Sequence, residues 1–330
     1  MKKYLLLFIV LINGLGAYTQ TVLIISGANT GPSFNAGYNV PRHFSETTDS
    51  VTFDNTSIYL GKKLPLNIPN DLEGPYALVA GGSKGIGYAI AAALARRGYN
   101  LILIARHLDS LMVAKRTLES TYPIHVEVLV YDLSKEEAAG AIAKWCTDKN
   151  IHLKMLCNVA GLGGTKDYLS LPLDTLRYMV RLNIESTMAL TLTLLPLLEK
   201  NAPSYILNVG SMAGYAPIPV KNLYSATKSA VLYFSYALRY QLKAKHISVS
   251  CLTPGPVFTK PSIEKDTRER LGWLGMKMAV SPERVGEIAV RETLNKRLII
   301  VPGSIAKIAT AIIRFLPRRW VVAFYGTVGD

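Results

Sequence analysis

The chain has 330 residues, 49% of them hydrophobic, with 37 basic against 23 acidic side chains and a formal net charge of +14. There is room for one large domain plus extensions, and neither an internal repeat nor a low-complexity tract stands in the way of one. The positive balance suits an anionic ligand or a negatively charged surface, but no recognition motif or aromatic–basic interleaving accompanies it, so no nucleic-acid partner is expected.

Taken in chain order, Met1-Lys2-Lys3 followed by the apolar run Tyr4 to Ile12 has the form of a signal peptide, with Ala17-Tyr18-Thr19 as a small-residue cleavage signal before Gln20. With Val22 to Ile25 the same segment serves equally as an uncleaved anchor. Residues 1–25 are therefore a signal or anchor, which makes the chain membrane-associated or exported; a cytoplasmic enzyme with a mis-assigned start is the alternative. Residues 26–74, rich in Gly, Pro, Asn, Ser and Thr, read as an irregular arm.

From Pro75 the pattern changes. Pro75 to Ala80 is a short apolar run suited to a buried strand, followed at once by Gly81-Gly82-Ser83-Lys84-Gly85-Ile86-Gly87 and an alanine-rich helix, Tyr88 to Arg97, stopped by Gly98. Strands are then expected at 100–105, 125–130, 153–158, 205–209, 247–252 and 298–301. Helices are expected at 108–121, 135–149, 173–200, 224–244 and 282–296. Such alternation predicts an α/β fold, a doubly wound parallel (Rossmann-type) sheet of about seven strands with helices on both faces, and places ligands outside the strand carboxyl ends. Cys146, Cys157 and Cys251 lack metal-ligand spacing, and no metal is expected.

Two groups of residues carry chemistry. A strand, a glycine-rich turn and a helix N-terminus together present N–H groups and a positive dipole end to an anion. Tyr224 and Lys228 are four residues apart and share a helix face, and Ser211, thirteen residues before Tyr224, ends a strand. An ammonium beside a phenol pulls its pKa toward working pH, as a proton donor to a carbonyl oxygen requires, and the Ser211 hydroxyl could hold that oxygen. The bland alternative is a solvated lysine beside a partly buried tyrosine on an ordinary amphipathic helix. At the end of the second strand stand Arg106 and no carboxylate, with Lys84 in the glycine loop; two cations there suit a 2′-phosphate.

These motifs, in this order and spacing, resemble those of the single-domain short-chain dehydrogenase/reductases, over roughly Pro75 to Gly303. Gly81, Gly85 and Gly87 match the glycine motif, with Ala80 where threonine is usual. Asp132-Leu133 matches the adenine-contacting pair. Asn158-Val159-Ala160-Gly161 matches Asn-Asn-Ala-Gly, with Val159 replacing the second asparagine. Asn183, Ser211, Tyr224 and Lys228 match the catalytic tetrad. Pro254-Gly255-Pro256-Val257-Phe258-Thr259 matches the segment closing over a nicotinamide, where Val257 and Thr259 contact the carboxamide. The resemblance implies an oxidoreductase in which Tyr224 is general acid or base, Lys228 lowers its pKa and holds the ribose, Ser211 polarises the carbonyl and Asn183 anchors a relay water. The cofactor site then comprises Gly81, Ser83, Lys84, Gly85, Ile86, Gly87, Arg106, Asp132, Leu133, Asn158, Ala160, Gly161, Tyr224, Lys228, Pro254, Gly255, Val257 and Thr259, and Arg106 and Lys84 point to NADP(H). A nucleotide sensor or scaffold without turnover is the alternative on the same fold.

The resemblance also implies a homodimer or homotetramer and places a substrate lid at Lys260 to Met278, where Leu271, Trp273, Leu274, Met276 and Met278 favour a lipophilic carbonyl or alcohol, such as a long-chain 3-oxoacyl, sphingoid-type or steroid-like compound. The tail, residues 304–330, is apolar and basic. An interfacial helix on a membrane surface and a helix packed on its own domain or a dimer mate are both open there.

Overall fold

The computed structural model describes Ser50–Phe53, Thr56–Tyr59, residues 74–163 and residues 168–329. The N-terminal apolar segment and its cleavage signal lie outside the described residues. Within the stretch expected to be irregular, β1 (Ser50–Phe53) pairs antiparallel with β2 (Thr56–Tyr59), a correction explained by the strand formers Val51, Thr52, Phe53, Ile58 and Tyr59.

The second unit, residues 63–330, is built on a seven-stranded sheet. Its elements are β3 (Tyr76–Ala80), α1 (Gly85–Ala95), β4 (Asn100–Ala105), α2 (Leu108–Thr121), β5 (Val126–Val130), α3 (Ala138–Asp148), β6 (Leu153–Asn158), α4 (Leu173–Val180), a π-helical turn (Arg181–Glu185), α5 (Ser186–Lys200), β7 (Ser204–Val209), α6 (Asn222–Gln241), β8 (Ile247–Leu252), α7 (Pro261–Met278), α8 (Pro282–Leu294), β9 (Ile299–Ile300), α9 (Ser304–Phe315) and α10 (Arg318–Gly329). The strand order is β5-β4-β3-β6-β7-β8-β9 and every pair is parallel. The order reverses between β3 and β6, and a crevice at such a switch point is where doubly wound sheets take ligands.

Successive residues of each strand feed opposite layers, as a period of two requires. Leu78, Ile102, Leu156 and Ile206 pack with Ile142 of α3, Leu190 and Leu194 of α5 and Leu238 of α6. Their neighbours Val79, Leu103, Cys157 and Leu207 pack with Ile90 and Leu94 of α1, Leu111 of α2 and Val285 and Val290 of α8. Helices cover both faces, so the central strands are apolar throughout rather than alternating. Each fully buried Leu or Ile contributes about 1.5–3 kcal/mol.

Two expectations are corrected, for the helix over 173–200 and for the tail. The helix expected over 173–200 is interrupted by the π-helical turn, where Ser186 N–H bonds Arg181 O, five residues back. Over the segment expected to form the lid, α7 is a helix kinked at Gly272 (φ +53°). The tail forms two helices, because Pro317 restricts the residue before it and ends α9.

Helices α1 and α8 pack closely. A Cβ on Gly286 would lie 2.4 Å from the backbone of Ala89, and Arg97 grips Glu287 across the same seam, holding that carboxyl below its usual range. Gly286→Ala is expected to lower stability by about 1–3 kcal/mol and Tm by roughly 2–10 °C. Gly140→Ala in α3, where a Cβ meets nothing within 4 Å, is expected to leave Tm unchanged or raise it. Thermal unfolding of the pair checks this, and equal Tm shifts would refute the close approach.

Candidate active site

The glycine loop is shaped by three positions that cannot carry side chains. Gly81 (φ +87°) and Gly85 (φ +58°) adopt left-handed backbone, and a Cβ on Gly87 would sit 2.0 Å from Gly81 O. The loop thus folds back on the first turn of α1, whose N–H groups have no carbonyl one turn behind them. A Cβ on Gly81 would also lie 2.9 Å from Ala160 N, so the loop touches the turn that follows β6. That turn hangs on the same strand end: Val159 N and Ala160 N both donate to Ala80 O, at 3.0 and 2.7 Å. A cradle of backbone, with space only where side chains are missing, fits a pyrophosphate.

From here the contacts lead directly to the ionisable residues. A Cβ on Gly161 would stand 3.2 Å from Asn183 Oδ1 and 3.3 Å from Lys228 Nζ, and one on Gly163 would stand 3.6 Å from Tyr224 Cε2. Lys228, on α6, is 5% exposed and donates to Val209 O, at the end of β7, at 2.8 Å. Its Nζ is 5.9 Å from the centre of the Tyr224 ring. Burial lowers the ammonium to about 8. Ammonium and phenol therefore both face the crevice.

Their electrostatics differ from the expectation in one respect. Burial raises the Tyr224 phenol, while a hydrogen bond with the Ser211 hydroxyl acts in the opposite direction. The ammonium expected to lower the phenol is committed to Val209 O, and desolvation of the phenol dominates. Tyr224 is thus held protonated at neutral pH. Ser211 caps the turn Met212–Tyr215, its Oγ accepting from Ala213 N at 3.1 Å. That turn lies tight on α6, since a Cβ on Gly214 would meet Lys228 O at 2.9 Å.

Asn183 lies in the π-helical turn and is 1% exposed. Its Oδ1 accepts from Leu162 N at 2.7 Å, and its Nδ2 donates to Leu162 O at 2.9 Å and to Thr227 Oγ1 at 3.0 Å. Thr227 in turn donates to Tyr224 O at 2.8 Å. Asn183 therefore joins the β6 turn to the helix bearing Tyr224 and Lys228. Sequence reasoning missed Thr227, although its place between the two was visible.

The other expected residues fall as follows. Met212 N donates to Pro254 O at 3.1 Å, and a Cβ on Gly255 would lie 3.2 Å from Met212 Sδ, so this segment abuts the Ser211 turn. Val257 is buried, and Thr259 lies over the glycine loop, its Cγ2 3.2 Å from a Cβ placed on Gly85. Asp132 Oδ1 accepts from Ser134 N and Oγ, and Leu133 is buried beside it. Ser83 and Ile86 are half-buried and Lys84 is exposed at the loop. Asn158 turns its side chain inward: Nδ2 donates to Thr191 Oγ1 and Asn208 Oδ1. Its amide therefore does not serve the crevice directly.

At the far rim Arg106 donates to Tyr178 OH at 2.8 Å. Burial and, less strongly, Asp132 push that phenol up, while Arg106 pulls it down. Tyr178, on α4, was missed because its partner lies 72 residues away. Among the described residues, no group of three or more His, Cys, Asp or Glu could hold a metal.

Comparison with known proteins gives the family and the fold. The family model "short chain dehydrogenase" matches residues 75–270. The chain is 32% identical over 207 residues to a very-long-chain 3-oxoacyl-CoA reductase of Danio rerio, covering 60% of this chain and 64% of that protein. It is 37% identical over 190 residues to a hydroxysteroid dehydrogenase-like protein of Gallus gallus, covering 57% of each. The chain thus spans less than two thirds of the length of these relatives. Among solved structures, a 7beta-hydroxysteroid dehydrogenase superposes with a TM-score of 0.68 at 21% identity, over 77% of this chain and 97% of that one. A short-chain dehydrogenase from Sphingobium yanoikuyae does so at 0.62 and 22%, over 74% and 97%. The crevice at the strand reversal, its glycine cradle and the matched segment make this chain a member of the short-chain dehydrogenase family.

Proposed function

We propose that the chain is an NADPH-dependent oxidoreductase that reduces a lipophilic ketone to an alcohol, or the reverse, with Tyr224 moving the proton. The observation that carries this reading is the meeting of Tyr224, Ser211, Lys228 and Asn183 at the glycine-lined crevice. The cradle fits a dinucleotide: the loop from Gly81 to Gly87 would hold the pyrophosphate and Asp132-Leu133 the adenine. Ala160, Gly161 and Lys228 would hold the ribose, and Val257 and Thr259 the carboxamide. When bound, the nicotinamide supplies or accepts the hydride.

The protein's part is the proton. In reduction the Tyr224 O–H bond breaks and its proton passes to the substrate oxygen, which the Ser211 hydroxyl also holds. The Lys228 ammonium stabilises the phenolate left behind, and Asn183 keeps both groups in place through Leu162 and Thr227. Oxidation runs the same steps backward. A solved relative of this fold was crystallised with NADPH, but the preference here rests on Arg106, which stands at the tip of β4 where an acidic residue would favour NADH.

The lipophilic substrate is supported by the lid α7 and by relatives named as very-long-chain 3-oxoacyl-CoA reductases; a long-chain 3-oxoacyl compound is the substrate class proposed. Exposed Leu192 on α5 and Tyr240 on α6 favour a homodimer or homotetramer. Membrane association or export through the N-terminal apolar segment belongs to the same reading. Among the described residues no helix is long and apolar enough to cross a membrane.

NADPH oxidation is expected to rise with acyl chain length across a 3-oxoacyl series. Tyr224→Phe is expected to cut kcat by about 10²–10⁴-fold while leaving NADPH affinity intact. Binding without turnover in both proteins would indicate a sensor instead. Arg106→Ala is expected to shrink the NADPH-over-NADH ratio of kcat/KM by about tenfold or more, and an unchanged ratio would remove Arg106 from the phosphate site.

The pH profile follows from the two shifts. The phenol, raised by burial, stays protonated through neutrality, whereas the ammonium loses its charge near pH 8. Reductive kcat/KM is therefore expected to fall as pH rises through about 8. A profile flat to the ordinary lysine range, about 10.4, would contradict the burial of Lys228.

A further inference from the structure

The C-terminal segment has a charge pattern unlike the rest of the chain. Residues 304–329 contain Lys307, Arg314, Arg318 and Arg319 and no acidic residue. In α9, Ala306 and Thr310 are buried, Ala309 and Ile313 pack on the core beside them, and Ile308 and Phe315 face outward, 58% and 91% exposed. In α10, Val321 is buried, whereas Trp320, Val322 and Phe324 are 50%, 39% and 45% exposed. Each helix therefore packs through one narrow stripe and leaves further large apolar side chains in water. Scattered singly these would mean little, but they fall on consecutive helices among cations.

Two neighbouring features match. A cavity of about 510 Å³ opens beside these helices, lined by Tyr215, Tyr233, Tyr236, Arg314 and Arg318 among others. Arg314 lies 5.8 Å from the centre of the Tyr215 ring, and Arg318 donates to Tyr215 O at 2.7 Å. The lid α7 packs on both α9 and α10 and exposes Trp273, with Lys277 Nζ 5.1 Å from its ring centre. Aromatic and aliphatic side chains interleaved with guanidinium and ammonium groups are the chemistry that lies in a lipid headgroup layer. The long side chains put their stems among acyl chains and their charges among phosphates.

We propose that α9 and α10, with Trp273 of the lid, form a docking surface for an anionic phospholipid bilayer, Arg314 and Arg318 at the cavity meeting headgroup phosphates. The occupant follows from charge: α9 and α10 carry four cations and no carboxylate, Asp330 lying just beyond them in the sequence, and so complement an anionic surface, each cation contributing to partition only near it. The contact sets the lid and the turn that begins at Ser211 beside the bilayer. It is separate from any attachment through the N-terminal segment and does not require turnover.

Tryptophan fluorescence separates the two attachments, since the three tryptophans are Trp145, Trp273 and Trp320 and residues 1–74 contain none. Full-length protein is mixed with phosphatidylcholine vesicles, with and without phosphatidylserine, carrying bromine on their acyl chains. The expected result is quenching that requires phosphatidylserine, is reduced in Trp320→Phe and is largely lost in the double variant Trp273→Phe, Trp320→Phe. The triple variant Lys307→Glu, Arg314→Glu, Arg319→Glu is expected to weaken this partition by about fivefold per cation or more, with an unchanged circular dichroism spectrum. Vesicles that bind the protein without quenching it, or fail to bind it, overturn the proposal. So does a Phe315→Ser variant that halves the mass by light scattering when the parent protein is not quenched, because the face is then covered by a second copy.

Discussion

The site depends on one desolvated charge. Lys228 is buried to 5% exposure with a carbonyl rather than a carboxylate at its Nζ. Burying an ammonium this way is costly, and the cost appears as its lowered pKa. The fold tolerates it because Val209 O, at the end of β7, accepts from the ammonium, and because Gly161 and Gly214 let backbone close around α6 without side chains in the way. A buried ionisable group in a crevice, with a phenol near it and a hydroxyl on the phenol, is a functional arrangement more readily than a structural one. As packing alone, an apolar residue at Lys228 would serve the core better.

The same desolvation decides the state of Tyr224. A lysine one helical turn from a tyrosine suggests an acidified phenol, but spacing says nothing about how much water either group keeps. Here Lys228 is buried and Tyr224 half-buried, the ammonium is turned to Val209, and Ser211 is the neighbour that acts against desolvation of the phenol. The pair is therefore poised as an acid with a nearby counter-charge, which is the form that reduction of a carbonyl begins from.

Much of the fold was legible because its central strands are short continuous apolar runs bounded by Gly, Asn or charged residues. Asn100–Ala105, Leu153–Asn158 and Ile247–Leu252 fall where the sequence pattern placed them. The helix Leu108–Thr121 does too. The glycine loop was legible for a physical reason as well, since left-handed backbone and a 2.0 Å approach leave only glycine. What could not be read was register and reach. One extra residue in the Arg181–Glu185 turn leaves the apolar pattern of 173–200 nearly unchanged, yet it sets the direction of Asn183. The side chain of Asn158 could face the crevice or the core with equal ease on paper; Thr191 and Asn208 draw it inward. The break at Pro317 was readable and was passed over, because the apolar run on either side looked continuous.

The interrupted helix also gives the crevice its unity. Tyr178, in its first segment, holds Arg106 at the rim, where Asp132 also lies. Asn183, in the π-helical turn, holds Leu162 and Thr227 beside Tyr224. The second segment, α5, is buried through Leu190, Leu194 and Leu198 against the sheet and so anchors both. A regular helix could supply either contact from one of its faces. π-helical turns concentrate at functional sites because a widened turn redirects one side chain without moving the helix that carries it. In this chain that redirected side chain is an amide with its oxygen and nitrogen both engaged, so the rim at Arg106 and the groups around Tyr224 are held by one interrupted element.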